Sequence, residues 1–240
     1  MPFPTFPLQP IPPIKAPIDW KTVTIHENSE PLVTLSALDK KGILIDAQYF
    51  QMGLPHAQQE LYAREGAVEK LIQAAALLPA GYALLIWDAW RPLAVQQALF
   101  DAQYQMVREQ FPSLSEQEVQ KQVQIYVCAP SDNISCPSLH YTGGAIDLTI
   151  VDATGSPLPM GTAFDTFDSR SRSRALEEQL ESGRQLTEEE QAWLENRRLL
   201  YCVMTTAGFT YDWEEWWHFD YGNQPWGAAT GKNAIYNGIG

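Results

Sequence analysis

Basic side chains are scarce in this chain. Its 240 residues carry 16 lysines and arginines against 29 aspartates and glutamates, a formal net charge of −13. Nucleic acids and anionic membrane surfaces are bound through clustered Lys and Arg, so this balance argues against both as partners. No apolar run is long enough to span a bilayer, and membrane insertion is not expected. Cysteine is also rare. Cys128, Cys136 and Cys202 form no CxxC pair, which speaks against a zinc knuckle. Their odd number points to thiols in a reducing compartment, and a Cys128–Cys136 disulfide has only proximity to support it. Histidine occurs four times, few enough for each position to be weighed singly.

What the chain has in local excess is proline, at positions 2, 4, 7, 10, 12, 13 and 17. Each proline fixes φ and removes a donor, so residues 1–17 are expected to form an extended arm, either packed across the domain or floating. The arm has no apolar h-region, so it does not read as a signal peptide, and a cytoplasmic location is the expectation. An apolar fraction of 45% is enough for a real core. With no repeat and no long linker, residues 18–240 read as one domain.

Residues 42–47 (GILIDA) predict a short strand. Residues 58–78 carry Leu61, Val68, Leu71, Ile72, Ala75 and Leu78 at near-helical spacing, which predicts a helix broken by Gly81. Residues 83–90 (ALLIWDAW) read as a buried strand closed by Arg91-Pro92, and Pro92 suits the first turn of a helix running to about Val107. Capping boxes at Ser115–Glu118 and Thr187–Glu190 open two more helices, one towards Ile125 or Val127, the other ended by Gly208. Residues 145–151 (AIDLTIV) and 216–221 complete the strands. Without regular βαβ alternation, the pattern favours an α+β fold with a central antiparallel sheet flanked by helices.

Two segments carry chemistry. Asp147 lies between Ile146 and Leu148 in an apolar strand, where an ionised carboxylate costs several kcal/mol, roughly, unless a cation or several donors meet it. A metal would satisfy it, and so would an arginine. His140 lies seven residues earlier, a spacing that places the two on opposite faces of an unbroken strand. Gly143-Gly144 offers a bend that can bring both to one site. Glu215 and His218 are three apart, which puts Glu215 at a strand entrance or both residues on one helical face; the tryptophans favour the strand. Two histidines and an acid are a usual ligand set for a catalytic zinc, with water in the fourth position. A second carboxylate near the last ligand can take a proton from that water. Joined in space, these residues would perform metal-assisted hydrolysis. His26 and His56 have no ligand-like neighbours and read as surface residues.

SLHYTGGAIDLT follows the pattern S-x-H-x-x-G-x-A-x-D of the D-alanyl-D-alanine dipeptidases, and EWWHF resembles their second metal segment. WDAWRP resembles their D-x-x-R-P segment and PMGTAFDTFD their M-G-x-x-F-D segment, in the same order over about residues 42–221. The resemblance implies an α+β domain shared with zinc D,D-carboxypeptidases and hedgehog-like proteins. It further implies one zinc ion per chain on His140, Asp147 and His218, with Glu215 as general base. By the same resemblance Arg91 stabilises an oxyanion, Asp165 sits near the substrate ammonium, Ser138 lines the pocket, and the substrate is a small dipeptide. Asp88 is expected to cap the following turn or to orient a ligand histidine; Arg91 read without the resemblance is its salt-bridge partner. Asp165 and Asp168 both flank Phe167, and either suits a loop N-cap. The chain departs from the family where relatives show an asparagine-phenylalanine pair and it reads Gln48-Tyr49-Phe50, so the preferred dipeptide does not carry over. Residues 232–240 fall outside the match. Two further readings share the motifs: a zinc D,D-carboxypeptidase acting on peptidoglycan stem peptides, and a hedgehog-like zinc-binding module without turnover. The sequence does not speak to oligomeric state.

Overall fold

The computed structural model describes residues 8–14, 19–124, 127–166 and 168–240. In chain order these form strand β1 (Leu32–Thr34), strand β2 (Ile43–Ile45), helix α1 (Gln48–Gln51), strand β3 (Tyr62–Arg64), helix α2 (Glu65–Ala76), strand β4 (Ala83–Asp88), helix α3 (Leu93–Gln110), helix α4 (Glu116–Val123), strand β5 (Ala145–Val151), helix α5 (Ala175–Glu181), helix α6 (Glu188–Ala207), strand β6 (Thr210–Tyr211), strand β7 (His218–Asp220) and helix α7 (Gln224–Thr230).

Every residue of β5 is buried, which requires cover on both faces and neighbours on both edges. It is the middle strand of a sheet ordered β2-β4-β5-β7-β6. The β4–β5, β5–β7 and β6–β7 pairs are antiparallel, as expected for an α+β fold. The edge strand β2 instead runs parallel to β4, because the chain between them makes a long crossover through β3 and α2. β1 and β3 form a separate antiparallel ribbon.

Side chains alternate along a strand, so Ile146, Leu148 and Ile150 share one face of β5. Leu84 and Ile86 of β4 stand opposite Ile150 and Leu148. These residues join Leu71 and Ala74 of α2 and Leu200, Val203 and Met204 of α6 in one core. Each such fully buried aliphatic side chain contributes about 1.5–3 kcal/mol. Asp147 and Thr149 project from the opposite face, so the helices anchor one side of the sheet and leave the other for polar chemistry.

The helix expected over 58–78 begins only at Glu65. The preceding residues pair with β1, and the Leu35 amide donates to the Leu61 carbonyl at 3.0 Å. Leu61 is buried, as the periodicity demands, but it reaches the core from an extended segment, where cross-strand pairing outweighs helical spacing. Both capping boxes form, and Gly208 ends α6 at φ +109°. Helix α4 ends at Val123, short of Val127; Ile125 lies outside the described residues. The strand expected over 216–221 shortens to His218–Asp220 because residues 216–217 form a turn, closed by the His218 amide on the Glu215 carbonyl at 3.2 Å.

The described part of the proline-rich arm lies against α5 and α6. Ile11 is buried, its N–H donates to Glu177 and its carbonyl accepts from Arg174, each at 2.9 Å. The C-terminal residues also return to the body, where the Trp90 indole N–H donates to the Ile239 carbonyl at 3.0 Å. All three cysteines are free thiols, so Cys128 and Cys136 are not bridged. Among the described residues no helix is long and apolar enough to cross a membrane.

The Gly143-Gly144 bend sets the entry to β5. Gly143 adopts φ +74°, the left-handed conformation that favours glycine, and its N–H returns to the His140 carbonyl. At Gly144 the constraint is space: a Cβ there would collide with the backbone carbonyl oxygen of Tyr221, and the Tyr221 amide donates to the Gly144 carbonyl at 2.8 Å. Gly144→Ala is expected to cost about 1–3 kcal/mol through overpacking. Thermal unfolding checks this; an unchanged Tm would mean that the two backbones can separate freely.

Candidate metal centre

Register brings the site together. Asp147 of β5 pairs with His218 of β7 on one side and with Asp88 of β4 on the other. The second pairing needs a bulge. Ile86 stands opposite Leu148 and Asp88 opposite Asp147, so β4 spends two residues where β5 spends one. The extra residue turns Asp88 from the helix-covered face to the polar face. His140 sits in the 3-10 turn His140–Thr142 just before β5, and its carbonyl accepts from the Arg91 amide at 3.2 Å. The seven-residue spacing from Asp147 is thus spanned by the turn and the glycine bend, not by a strand.

His140, Asp147 and His218 each present one ligand atom, all within 4.8 Å of one another, and all three residues are buried. His140 Nε2 lies 3.3 Å from one Asp147 oxygen, and His218 Nδ1 lies 2.9 Å from the other. The outward nitrogens are engaged elsewhere. His140 Nδ1 meets the Ala89 carbonyl at 2.8 Å and Asp88 at 3.2 Å, and His218 Nε2 meets Asp220 at 3.2 Å. Acceptors behind each ring fix its orientation, as they do for metal-binding histidines. Two inward nitrogens and a carboxylate, so braced, suit a divalent cation of intermediate softness.

Electrostatics points the same way. Burial disfavours the Asp147 charge, but the His140 and His218 rings outweigh it and hold the carboxyl well below its usual range. Burial disfavours the charged form of His218 too, yet Asp220 and Asp147 raise it well above the ordinary histidine value. Asp88, Asp147 and Asp220 are all buried, a concentration of negative charge that is costly unless cations meet it. Arg91 is the buried arginine that does so. It donates from Nε to Asp88 at 2.9 Å and lies 3.6 Å from Asp147. Asp88 therefore contacts both a histidine and Arg91, and the plain salt-bridge reading of the Asp88–Arg91 pair is correct as geometry.

A cavity of about 540 Å³ opens over these residues. Glu215, Asp165, Ser138 and Tyr49 line it together with the histidines. Glu215 lies at the strand entrance, outside the β7 ladder, as the strand alternative required; burial and the Asp147 charge push its carboxyl up. Ser138 Oγ accepts from the Ser131 amide at 2.8 Å. Asp165 accepts from the Tyr49 hydroxyl at 3.0 Å, whereas Asp168 faces away and caps a 3-10 turn through the Arg170 amide. His26 and His56 are exposed.

Sequence reading missed Asp220, Asp212, Tyr49 and Gln96. Asp220 had a signal, since it lies two residues beyond His218 on the same strand face. Asp212 accepts the Glu214 and Glu215 amides and so shapes the turn that presents Glu215. Tyr49, standing where the resemblance led one to expect asparagine-phenylalanine, stacks under Arg91, with the guanidinium carbon 4.8 Å from its ring centre.

Comparison with known proteins points to one family. A family profile described as Peptidase_M15, D-ala-D-ala dipeptidase, matches residues 43–236. A Synechocystis protein named D-alanyl-D-alanine dipeptidase is 30% identical over 219 residues, 86% of this chain and 88% of its own length. Proteins of the same name from Enterococcus faecium and Enterococcus faecalis are 29% and 30% identical, over 61% and 66% of this chain and 65% and 70% of their own lengths.

Asp165 is held in the left-handed region at φ +54°. Burial first, and the Asp147 charge second, push its carboxyl up to about 6. A carboxyl raised on folding binds its proton more tightly in the native state, so in metal-free protein it lowers stability as pH climbs from about 4 to about 6 and leaves it lower above that. Asp165→Asn is therefore expected to stabilise the metal-free protein at pH 8 and to leave it unchanged near pH 4. Urea unfolding of chelator-treated protein at the two pH values checks the sign.

Proposed function

The chain belongs to the peptidase M15 family of D-Ala-D-Ala dipeptidases, and from that membership we propose that it is a zinc-dependent dipeptidase cleaving D-alanyl-D-alanine or a closely similar dipeptide. The observation that carries the reading is the convergence of His140 and His218 on the two oxygens of Asp147, in a cavity that Glu215 and Arg91 also line. On this reading His140 Nε2, Asp147 and His218 Nδ1 hold one zinc ion per chain. When bound there, zinc supplies a Lewis acid that brings the pKa of a water to about 7 and polarises a carbonyl.

The chain's own groups do the remaining work. Glu215 takes the proton of the attacking water and later delivers it to the departing amine nitrogen. Arg91 donates to the oxygen that gains charge in the tetrahedral transition state. Burial disfavours the arginine charge, but Asp88 restores it, so the donor stays cationic throughout. Removing an oxyanion donor of this kind typically costs about 2.7–4 kcal/mol. Asp220, Asp88 and the Ala89 carbonyl hold the two imidazoles in place.

Asp165 receives the substrate ammonium. A peptide whose amine is acylated would leave that half-buried carboxylate without its partner, which selects a free dipeptide.

A hydrolysis screen of D,D- and L,D-dipeptides with and without chelator tests the whole reading; activity that survives complete metal removal would sink it. Glu215→Gln is expected to retain one metal per chain and to lose nearly all kcat, whereas His218→Ala loses the metal itself, both read by elemental analysis alongside turnover. Asp165→Ala is expected to narrow the preference for D-Ala-D-Ala over its N-acetyl form. An unchanged ratio of kcat/KM for the two would remove Asp165 from substrate recognition.

A further inference from the structure

Helix α3 buries a glutamine in its first turn. Gln96 is 6% exposed, and its two amide ends bridge two parts of the cavity wall. Gln96 Oε1 accepts from Arg91 Nη1 at 2.7 Å, and Gln96 Nε2 donates to the Cys128 carbonyl at 2.7 Å. The chemistry fixes the amide orientation: a guanidinium only donates and a carbonyl only accepts, so a flipped amide would fail both partners. Residues 128–138 form the outer wall of the cavity, and their carbonyls are tied down again by Gln224 on Ser135 and by Asn237 on Ile134.

We propose that Gln96 is a positioning residue for the hydrolytic reaction, holding the Arg91 guanidinium in register with the cavity wall. The inference rests on Arg91 serving as the oxyanion donor. The arginine fork is held by Asp88 at Nε and, at 2.8 Å, at Nη2, by Gln96 at Nη1 and by the Tyr49 hydroxyl at Nη2, the last at 3.3 Å. Asp88 is anionic and draws part of the arginine charge. Gln96 is neutral and restrains direction without neutralising it, which suits a group whose charge must remain available to a developing oxyanion. Through its second hydrogen bond Gln96 also couples the position of Arg91 to the wall against which substrate packs.

The test uses the intact, metal-loaded chain and four variants, Gln96→Met, Arg91→Lys, the two combined, and Gln96→Glu. Gln96→Met keeps the shape of the side chain and removes both hydrogen bonds. It is expected to lower kcat for D-Ala-D-Ala about tenfold to a hundredfold, since a displacement on the order of 1 Å at a reacting group costs about that much. KM should stay within about threefold, and metal content should be unchanged. In an Arg91→Lys background the same substitution should have almost no further effect, because its route of action is already lost. Side-chain nitrogen NMR of labelled arginine gives a readout independent of turnover. The Arg91 Nη protons should be resolved in the wild type and averaged by rotation in Gln96→Met. Gln96→Glu keeps the acceptor and should keep that signal while lowering kcat, because its carboxylate draws on the Arg91 charge. The proposal is overturned if Gln96→Met leaves kcat and the Arg91 signal unchanged, if its effect persists in full beside Arg91→Lys, or if Gln96→Glu abolishes the signal. A wild-type protein inert toward every dipeptide would instead defeat the functional reading, and the NMR comparison would still decide the role of Gln96.

Discussion

Everything at the site depends on β5 being paired on both sides. A strand buried at every position has no freedom to slip, because a one-residue shift would turn its aliphatic face toward the polar cavity and its aspartate toward the helices. With the register held, Asp147 stands between Asp88 and His218 on adjacent strands. The bulge at Trp87 interrupts the regular β4–β5 pairing, and it turns Asp88 toward the histidine and the arginine.

The same packing concentrates charge where water is excluded. Aspartates at 88, 147 and 220 are buried within hydrogen-bonding reach of two imidazoles and a guanidinium. In an apolar interior such a cluster is stable only when each oxygen is met, and removing one partner leaves its neighbour uncompensated. The acids therefore serve as braces as well as acceptors. Asp220 and Asp88 turn the rings so that the other nitrogen of each points at Asp147. An arrangement held by several braces keeps its shape before any ligand arrives, which is the condition for electrostatic preorganisation.

The cavity wall is held by long-range contacts of a different kind. Gln96 ties residue 128 to Arg91, Gln224 ties residue 135 to α7, and the C-terminal strap closes over Trp90. The segments joined are distant in sequence, so the wall forms only once the sheet and its flanking helices are in place. Residues 232–240, outside the sequence motifs, belong to this layer.

The one-dimensional pattern was enough for the elements whose signals are local. The two capping boxes, the left-handed glycine at 208 and the apolar run of β5 each follow from side chains within a few residues of one another. It also marked Asp147 as chemically odd, since a carboxylate inside an apolar strand must have a partner; His140, His218 and Glu215 stood out as a ligand set with a second carboxylate, and Arg91 took its role from the resemblance. Which partners they find is a matter of three dimensions. The β3 strand inside an apparent helix, the parallel β2 edge, the bulge before Asp88, and the service of Tyr49 and Gln96 to Arg91 all arise from pairing between remote segments. Local spacing carries no record of such pairings, because their energy exists only after the chain has closed its long loops and brought those segments together.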